Sequence, residues 1–161
     1  MKYVFLDVDG VLNYSGCTER ICGMLGVVDE CVQRLAEIVF SCSPQACIVL
    51  TSSWKECWDH QPINSTELEP MAKYLVDKLK AYGMHLCGRT EEKNPMDRGL
   101  GIQAWLRKVG RDEVDGWVVL DDEIFPDYEE RGIIPHLVKT SFGIGLTDRG
   151  VEKAIKILRG E

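Results

Sequence analysis

The sequence predicts an α/β fold in which a parallel β-sheet is covered by helices on both faces. Apolar segments of strand length alternate along the chain with amphipathic segments of helix length, and this alternation is typical of parallel sheets. The strand candidates are continuously apolar rather than alternating, as strands buried on both faces require. No polar linker divides the chain into two cores. We therefore expect one domain over residues 1–161, a Rossmann-like three-layer sandwich with a parallel five-stranded sheet.

Five short apolar segments are the strand candidates, and most are rich in β-branched residues. The first, second and fourth of them end directly in polar residues. Ligands bind at the C-terminal ends of strands in open α/β sheets, so these ends are the expected position of a site. The five segments lie at residues 2–7, 46–50, 84–87, 117–120 and about 136–140.

Four amphipathic segments are the helix candidates, and each has a recognisable start or stop signal. Apolar residues recur on one face of each, for example Val32, Leu35 and Val39 in the first. The first helix begins near Asp29 as its cap, the second runs from Pro70 to Gly83, the third follows a cap at Asp97 and ends before Gly110, and the last begins at Thr147 or Asp148.

Composition and charge limit the classes of function. Apolar residues make up 45% and charged residues 28% of the chain, the balance of an ordinary globular protein. No stretch is long enough for a membrane span and no signal peptide precedes the first acids, so we expect a cytoplasmic protein without a membrane partner. The net charge of −7 argues against broad nucleic-acid binding, which needs a cationic surface. The seven cysteines cannot all pair, and we expect reduced thiols.

The end of the first predicted strand is the most informative stretch, because Asp7 and Asp9 follow an apolar run and precede Gly10. Two carboxylates one residue apart repel each other unless a cation or a shared proton lies between them. Such a pair at the C-terminal end of a parallel strand favours a site for a hard metal ion. The alternative is a solvated turn, because Asp-Gly is also a common turn dipeptide.

Two further predicted strands end in groups that bind metals or phosphate. The hydroxyl residues Thr51 to Ser53 follow the second strand, and Asp121 and Asp122 follow the fourth. Parallel strands place their C-terminal ends at one edge of the sheet, so these side chains converge with the first acidic pair. Four carboxylates in one crevice require a divalent cation, and ligands that are all oxygen favour Mg²⁺ over zinc.

The motifs and their order resemble those of the haloacid dehalogenase (HAD) superfamily of phosphohydrolases, and the resemblance covers nearly the whole chain. Residues 50–54 and 145–147 also resemble a small-capped branch of the superfamily, which includes domains found in some nucleic-acid repair proteins. The first, second and fourth superfamily motifs are similar to Asp7-Val8-Asp9-Gly10-Val11, Ile48-Val49-Leu50-Thr51 and Val118-Val119-Leu120-Asp121-Asp122.

The resemblance implies a Mg²⁺-dependent phosphatase that hydrolyses phosphomonoesters. Asp7 would be the nucleophile that forms an aspartyl-phosphate, Asp9 the general acid and base, and Thr51 a contact to the transferred phosphoryl group. The implied metal ligands are Asp7, Asp9 through its backbone carbonyl, Asp121 and Asp122, and the implied substrate contacts are Gly10, Ser52, Ser53 and Lys93.

The third motif of the superfamily is a lone cation, and three residues compete for this role. Arg98 opens the third predicted helix, 23 residues before Asp121, whereas Lys93 and Arg89 lie in or beside the preceding loop. A cation near the start of a helix can neutralise phosphate and carboxylate together. We expect Arg98 to act as this catalytic cation, with Lys93 and Arg89 as alternatives.

The gaps between the predicted elements are too short to fold into a separate cap domain, so the cap is expected to be minimal and the site open. Only residues 12–27, as a mobile flap, and 54–69 are placed to cover the crevice. An open site suits a nucleic-acid end or a phosphoprotein and also admits a phosphorylated small molecule. Trp54 and Trp58 could stack on a nucleobase, but we favour an interpretation in which they pack the loop onto the domain.

Two other functions are compatible with the sequence. A receiver-type signalling module also has acids after its first strand, but its phosphoaccepting Asp follows strand three, and residues 84–88 contain no Asp. A non-catalytic metal- or phosphate-binding domain would keep the fold but has no need of an acid-base residue such as Asp9. Turnover with phosphate release separates an enzyme from both alternatives.

Overall fold

The structure is a computed structural model that describes residues 1–161. Its strands are β1 (Lys2–Leu6), β2 (Arg20–Ile21), β3 (Met24–Leu25), β4 (Cys47–Leu50), β5 (Leu86–Arg89), β6 (Gly116–Asp121) and β7 (Leu137–Lys139). Its α-helices are α1 (Asp29–Phe40), α2 (Pro70–Lys80), α3 (Arg98–Val109) and α4 (Asp148–Arg159). A 3-10 helix at Ser53–Trp58 follows β4.

Five strands form one parallel sheet in the order β5-β4-β1-β6-β7. The chain builds outward from β1 through β4 to β5, and then returns to the other side of β1 for β6 and β7. The direction of winding therefore reverses between β1 and β6, and such switch points are where open α/β sheets bind ligands. The prediction of a Rossmann-like fold with a five-stranded parallel sheet is confirmed.

Helices cover both faces of this sheet, because successive residues of a strand point to opposite sides. Val4 and Leu6 of β1 belong to a core of 31 buried residues that includes apolar side chains of α1, α2 and α4. Tyr3 and Phe5 belong to a second core of 9 buried residues, to which α3 contributes Ile102. The domain thus has three layers, with three helices on one face and α3 on the other.

Two elements have bounds that differ from the sequence prediction. Helix α2 ends at Lys80 rather than Gly83, because residues 81–83 form a turn in which the Gly83 N–H donates to the Lys80 carbonyl. Gly83 has a φ of 75°, a conformation that glycine adopts without steric penalty. Strand β5 begins two residues later than predicted, at Leu86, because pairing with β4 starts where Leu86 meets Ile48.

Asp97 occupies the N-cap position of α3, as predicted, but its side chain forms no capping hydrogen bond. Asp127 caps the helix instead: Oδ1 accepts the Gly99 N–H at 3.0 Å and Oδ2 accepts the Leu100 N–H at 2.8 Å. A carboxylate at a helix N-terminus satisfies free N–H groups and interacts favourably with the helix dipole. This long-range contact fixes the start of α3 and therefore the position of its first residue, Arg98.

Two further helix starts, those of α1 and α4, show how far a local signal reaches. Asp29 is the first residue of α1 rather than its cap, which is Val28 and offers no side-chain hydrogen bond. Thr147 caps α4 as predicted, and its Oγ1 accepts the Gly150 N–H at 3.1 Å. A hydroxyl acceptor at this position satisfies one of the free N–H groups of the first turn.

The segment 12–27 beside the crevice contains the antiparallel hairpin β2–β3, the one sheet outside the main sheet. Leu12 and Val27 at its base are completely buried, and the Val28 N–H donates to the Leu12 carbonyl at 2.7 Å. All seven cysteines of the chain are free thiols. None of the four α-helices has the length and the continuous apolar character that crossing a bilayer requires.

Candidate active site

Three of the predicted site residues stand side by side because the strands that carry them are in register. Leu6, the last residue of β1, pairs with leucines of both β4 and β6. One residue further on, these neighbouring strands lead into Thr51, Asp7 and Asp121. Backbone hydrogen bonds extend to this row, since the Asp7 N–H donates to β6 and the Thr51 N–H donates to β1, each at 2.9 Å.

Asp7, Asp121 and Asp122 form a cluster in which one carboxylate oxygen of each lies within 4.8 Å of the others. Asp121 is completely buried and Asp7 is 6% exposed, while Asp122 is partly buried. Ionised carboxylates this close repel each other, and burial strengthens the repulsion because water no longer screens it. The structure therefore brings together the acids that follow the first and fourth predicted strands.

Arg98 lies between two members of this cluster. Its Nη1 is 2.8 Å from Oδ2 of Asp121 and 3.4 Å from Oδ1 of Asp7. The guanidinium also packs over the ring of Phe125, with its carbon 4.1 Å from the ring centre. Burial opposes the charged guanidinium, but Asp7 and Asp121 outweigh this effect and raise the Arg98 pKa. Arg98 is therefore a fixed positive charge against the carboxylates.

Asp121 is held by a partner that the sequence does not reveal. Besides Arg98, the hydroxyl of Tyr128 donates to Oδ2 of Asp121 at 2.8 Å, and the Glu123 N–H donates to Oδ1 at 3.0 Å. Tyr128 is completely buried, and burial together with Asp121 raises its pKa, so the hydroxyl keeps its proton and donates. No local sequence pattern indicates a role for Tyr128, because that role depends on its tertiary contact with Asp121.

Asp7 is buried among like charges, and its ionisation reflects this. Burial and the neighbouring Asp121 raise the pKa of Asp7 to about 7, although Arg98 opposes the shift. Burial and Asp121 also raise the pKa of Asp122. A divalent cation in the cluster would favour the ionised form of all three carboxyl groups.

The side chain of Asp9 is not part of the cluster and has its own two donors. Nδ2 of Asn13 donates to Oδ1 of Asp9 at 2.8 Å, and Nε1 of Trp54 donates to Oδ2 at 3.2 Å. Asn13 is completely buried and also donates to the Gly26 carbonyl at 2.9 Å. Sequence reasoning misses both donors. The signal that could have found Asn13 is an amide four residues after an acid in a tight turn, where side chains of this type often bond locally.

The two tryptophans pack the segment after β4 onto the domain, as predicted. Trp54 is 5% exposed and Trp58 is 1% exposed, so neither offers an open ring face for a nucleobase. Nε1 of Trp58 donates to the Ile63 carbonyl at 3.1 Å. The same 3-10 helix that buries these rings therefore delivers the Trp54 donor to Asp9.

The hydroxyl residues after β4 differ in their surroundings. Thr51 is 1% exposed, and its Oγ1 has no hydrogen-bond partner in the protein. A buried hydroxyl without a partner is unfavourable unless a ligand or water completes its bonding. The Ser52 hydroxyl accepts the Trp54 N–H at 3.2 Å, whereas Ser53 is exposed. Thr51 is thus the hydroxyl whose bonding is incomplete next to the carboxylates.

Gly10 forms the turn that lets Asp122 approach β1. Its φ is 77°, and a Cβ at this position would lie 2.3 Å from Oδ2 of Asp122. The Gly10 N–H donates to Oδ1 of Asn13 at 2.9 Å, and its carbonyl accepts the Thr140 hydroxyl at 2.6 Å. Gly10 was predicted as a substrate contact, but its N–H is already bonded within the protein, and Gly10 contributes the turn itself.

The competing cations lie elsewhere. Lys93 is exposed and, like Arg89, forms no ion pair; both line a groove that contains none of the three clustered carboxylates. Lys55 lines the same groove, and its Nζ donates to the Thr90 hydroxyl at 3.0 Å and to Glu92 at 2.5 Å. Burial lowers the Lys55 pKa, and Glu92 opposes the shift. Of the three candidates for the third motif, the structure places Arg98 against the carboxylates.

The donor set of the cluster fits Mg²⁺. The three carboxylates offer only oxygen ligands, which Mg²⁺ prefers. A zinc site would favour His or Cys, and neither belongs to the cluster. Neither the N–H nor the carbonyl of Asp9 has a hydrogen-bond partner in the protein, so this carbonyl is free to serve as a ligand. Mg²⁺ usually takes one or two carboxylates and completes its shell with water and phosphate, which this open edge permits.

A doubly wound sheet whose switch point carries Asp7 and Asp121 defines a domain of the HAD type. A family model described as "HAD domain in Swiss Army Knife RNA repair proteins" matches residues 3–151. This match covers most of the chain, and the protein belongs to that family. The resemblance to the nucleic-acid repair branch is thereby confirmed, and an enzyme of the hydrolase type is supported in general. Searches of curated proteins and of solved structures found no significant match.

Proposed function

We propose that the protein is a Mg²⁺-dependent phosphomonoesterase that removes phosphate from the end of a nucleic acid. The observation that supports this proposal most directly is the cluster of Asp7, Asp121 and Asp122, with Arg98 between the first two. Phosphoryl transfer depends on positioning and on neutralising charge, and a buried acidic cluster with a fixed cation supplies both. The unpartnered hydroxyl of Thr51 adds a donor for a phosphoryl oxygen.

Asp7 is the proposed nucleophile. One oxygen of its carboxylate attacks phosphorus, the bond between phosphorus and the leaving oxygen breaks, and an aspartyl-phosphate forms. The attacking carboxylate must be ionised, which its pKa of about 7 disfavours until a cation occupies the cluster. The chemistry that Mg²⁺ supplies, when bound by the three carboxylates and the Asp9 carbonyl, is neutralisation of charge between nucleophile and phosphate.

Asp9 is the proposed acid and base. Its carboxyl group donates a proton to the leaving oxygen in the first step. In the second step it takes a proton from the water that attacks the aspartyl-phosphate, which releases inorganic phosphate and regenerates Asp7. Asn13 and Trp54 hold the two Asp9 oxygens at 2.8 Å and 3.2 Å, so the group keeps one orientation through both steps.

Arg98 and Thr51 complete the proposed phosphate site. The guanidinium of Arg98 stabilises the charge that develops on the equatorial oxygens, and the Thr51 hydroxyl donates to one of them. The segment Ser52–Ser53 lies next to Thr51 and is proposed to contribute backbone donors. Exposed Lys93 is proposed to contact the substrate beyond the reacting phosphate.

A nucleic-acid end is the substrate class that the site and the family description support together. The site lies at a sheet edge where no cap domain intervenes, with only the hairpin β2–β3 and the 3-10 helix after β4 beside it. The description of the matching family refers to RNA repair. Because the net charge is −7, recognition is proposed to rest on the terminal phosphate and its near neighbours rather than on a long strand.

Phosphate release from defined substrates tests the proposal. We expect the protein to release phosphate from 5′- or 3′-phosphorylated oligoribonucleotides with Mg²⁺ and not with EDTA, and to act less efficiently on phosphorylated metabolites. Asp7→Asn should lower the rate about 10⁴-fold or more, because it removes an activated nucleophile. Glu130→Gln, which neutralises an exposed acid outside the cluster, should leave the rate unchanged.

Three results would contradict the proposal. The first is unchanged phosphate release in the Asp7→Asn variant. The second is no release from any of these substrates, which would favour a non-catalytic binding domain. The third is a stable phosphoprotein without turnover, which would favour a signalling module.

A further inference from the structure

A cavity lies away from the carboxylate cluster, at the start of β6. Its volume is about 770 Å³, and it is lined at the start of β6 by Gly116 and Trp117. Asp121 ends the same strand, and a strand rises about 3.3 Å per residue, so the cavity is about one strand length, roughly 17 Å, from the cluster. A ligand in this cavity therefore binds at the opposite edge of the sheet from Asp7.

The lining of this cavity is cationic, although the protein as a whole is acidic. Arg107, Arg111 and Arg131 contribute to it, and Asp115 is its one acidic residue. Arg131 is held by Asp127, with its Nε 3.0 Å from Oδ2. Arg107 and Arg111 are exposed and form no ion pair, so their guanidinium groups are free to bind an anion. Arginine is suited to phosphate because its planar fork donates two parallel hydrogen bonds.

One wall of the cavity is aromatic. The rings of Trp117 and His136 stack with their centres 3.6 Å apart and their planes 13° apart. Nδ1 of His136 lies 3.0 Å from the Trp117 carbonyl oxygen, and this hydrogen bond fixes the imidazole in the stack. Aromatic side chains beside free arginines are the combination by which proteins bind single-stranded nucleic acid, since bases stack and phosphates pair.

We propose that this cavity is a second, non-catalytic nucleotide-binding site that holds one or two nucleotides of a single strand. Arg107 and Arg111 bind phosphate, and the Trp117–His136 wall packs against a base. The cavity contains no pair of carboxylates, so it binds without cleaving. The inference goes beyond the proposed phosphatase activity and does not depend on it.

Binding of a hexaadenylate that has no terminal phosphate tests this site, because such a strand is not a phosphomonoester. Affinity is measured by titration calorimetry in EDTA, and each variant is checked by circular dichroism. Arg107→Glu/Arg111→Glu should weaken binding about tenfold or more, because two phosphate contacts are lost. The matched control, Lys80→Glu/Arg149→Glu, makes the same change in net charge at exposed cations outside this cavity and should change affinity less than about twofold. His136→Ala should weaken binding about fivefold or more through loss of stacking.

Two outcomes would overturn the inference. One is that neither hexaadenylate nor an unphosphorylated adenosine dinucleotide binds measurably. The other is equal weakening by both double variants, which would mean that net charge rather than this cavity attracts the strand. If the dinucleotide binds about as tightly as the hexamer and responds to the same variants, the site holds one or two nucleotides, as proposed. Because no turnover is measured, loss of the proposed phosphatase activity would leave the result unaffected.

Discussion

Replacing Asp7 by asparagine should stabilise the metal-free protein above neutral pH, because it removes one of three clustered negative charges. The carboxylate oxygens of the cluster lie at most 4.8 Å apart. With an effective dielectric constant of about 20, Coulomb's law gives a repulsion of about 3.5 kcal/mol for two unit charges at this distance. The attraction that is lost to Arg98 at 3.4 Å is about 5 kcal/mol on the same basis. The substitution relieves two repulsions, with Asp121 and Asp122, and loses one attraction, to Arg98. The net stabilisation is therefore roughly 2 kcal/mol.

The stabilisation should depend on pH in a defined direction. Burial raises the pKa of Asp7 to about 7, whereas the group in an unfolded chain ionises near 3.8. Between these values the folded protein binds more protons than the unfolded chain, so the stability of the wild type falls as pH rises through this window. The asparagine variant has no such proton equilibrium. Its advantage should therefore be largest above about pH 7 and should shrink toward about pH 4.

Thermal unfolding in EDTA measures this effect. For a chain of this length, 1 kcal/mol shifts the Tm by about 2–4 °C, so Asp7→Asn should raise the Tm by about 4–8 °C at about pH 8. Glu130→Gln makes the same change in net charge on an exposed residue and should shift the Tm by no more than about 2 °C. A Tm of the Asp7 variant below that of the wild type at about pH 8 would refute the electrostatic account of the cluster.

Three further substitutions test individual contacts. Trp54→Phe keeps a buried ring but removes the hydrogen-bond donor to Asp9. The kcat should therefore fall about tenfold to a hundredfold, with little change in the urea midpoint. An unchanged kcat would exclude a positioning role for Trp54. Asp121→Asn relieves similar repulsions but weakens the bonds from Arg98 and from the Tyr128 hydroxyl, so it should leave the metal-free protein about 1–3 kcal/mol less stable than Asp122→Asn; equal denaturation curves would contradict this difference. Asp127→Ala removes the cap of α3 and should lower the free energy of unfolding by about 1–2 kcal/mol, and no loss in urea would show that the cap is dispensable.

The architecture could be predicted from the sequence because its signals are local and repeated. Strands buried on both faces must be apolar throughout, and this pattern separates them from the amphipathic helices between them. Helix starts that depend on their own residues were equally accessible, as Pro70 and Thr147 show. The cap of α3 was not accessible, because Asp127 reaches Gly99 across 28 residues of sequence.

The candidate site divides in the same way. Asp7, Thr51 and Asp121 could be placed together because parallel strands share one C-terminal edge. Arg98 was preferred over Lys93 from its place at the start of α3, and the structure adds that its guanidinium lies against Asp7 and Asp121.

The residues that hold the carboxylates in place were the least accessible to prediction. Trp54 meets Asp9 across 45 residues of sequence, and Tyr128 meets Asp121 from an irregular segment. A buried tryptophan or tyrosine is ordinarily explained by packing, and only its polar atom reveals the second role.

Titration calorimetry with Mg²⁺ tests the central claim most directly, because that claim is that Asp7, Asp121 and Asp122 share one divalent cation. We predict saturable binding of one Mg²⁺ per chain at about pH 8, at least tenfold weaker binding in Asp122→Asn, and unchanged binding in Glu130→Gln. Binding that persists undiminished in both Asp7→Asn and Asp122→Asn, or no saturable binding to the wild type, would contradict the claim.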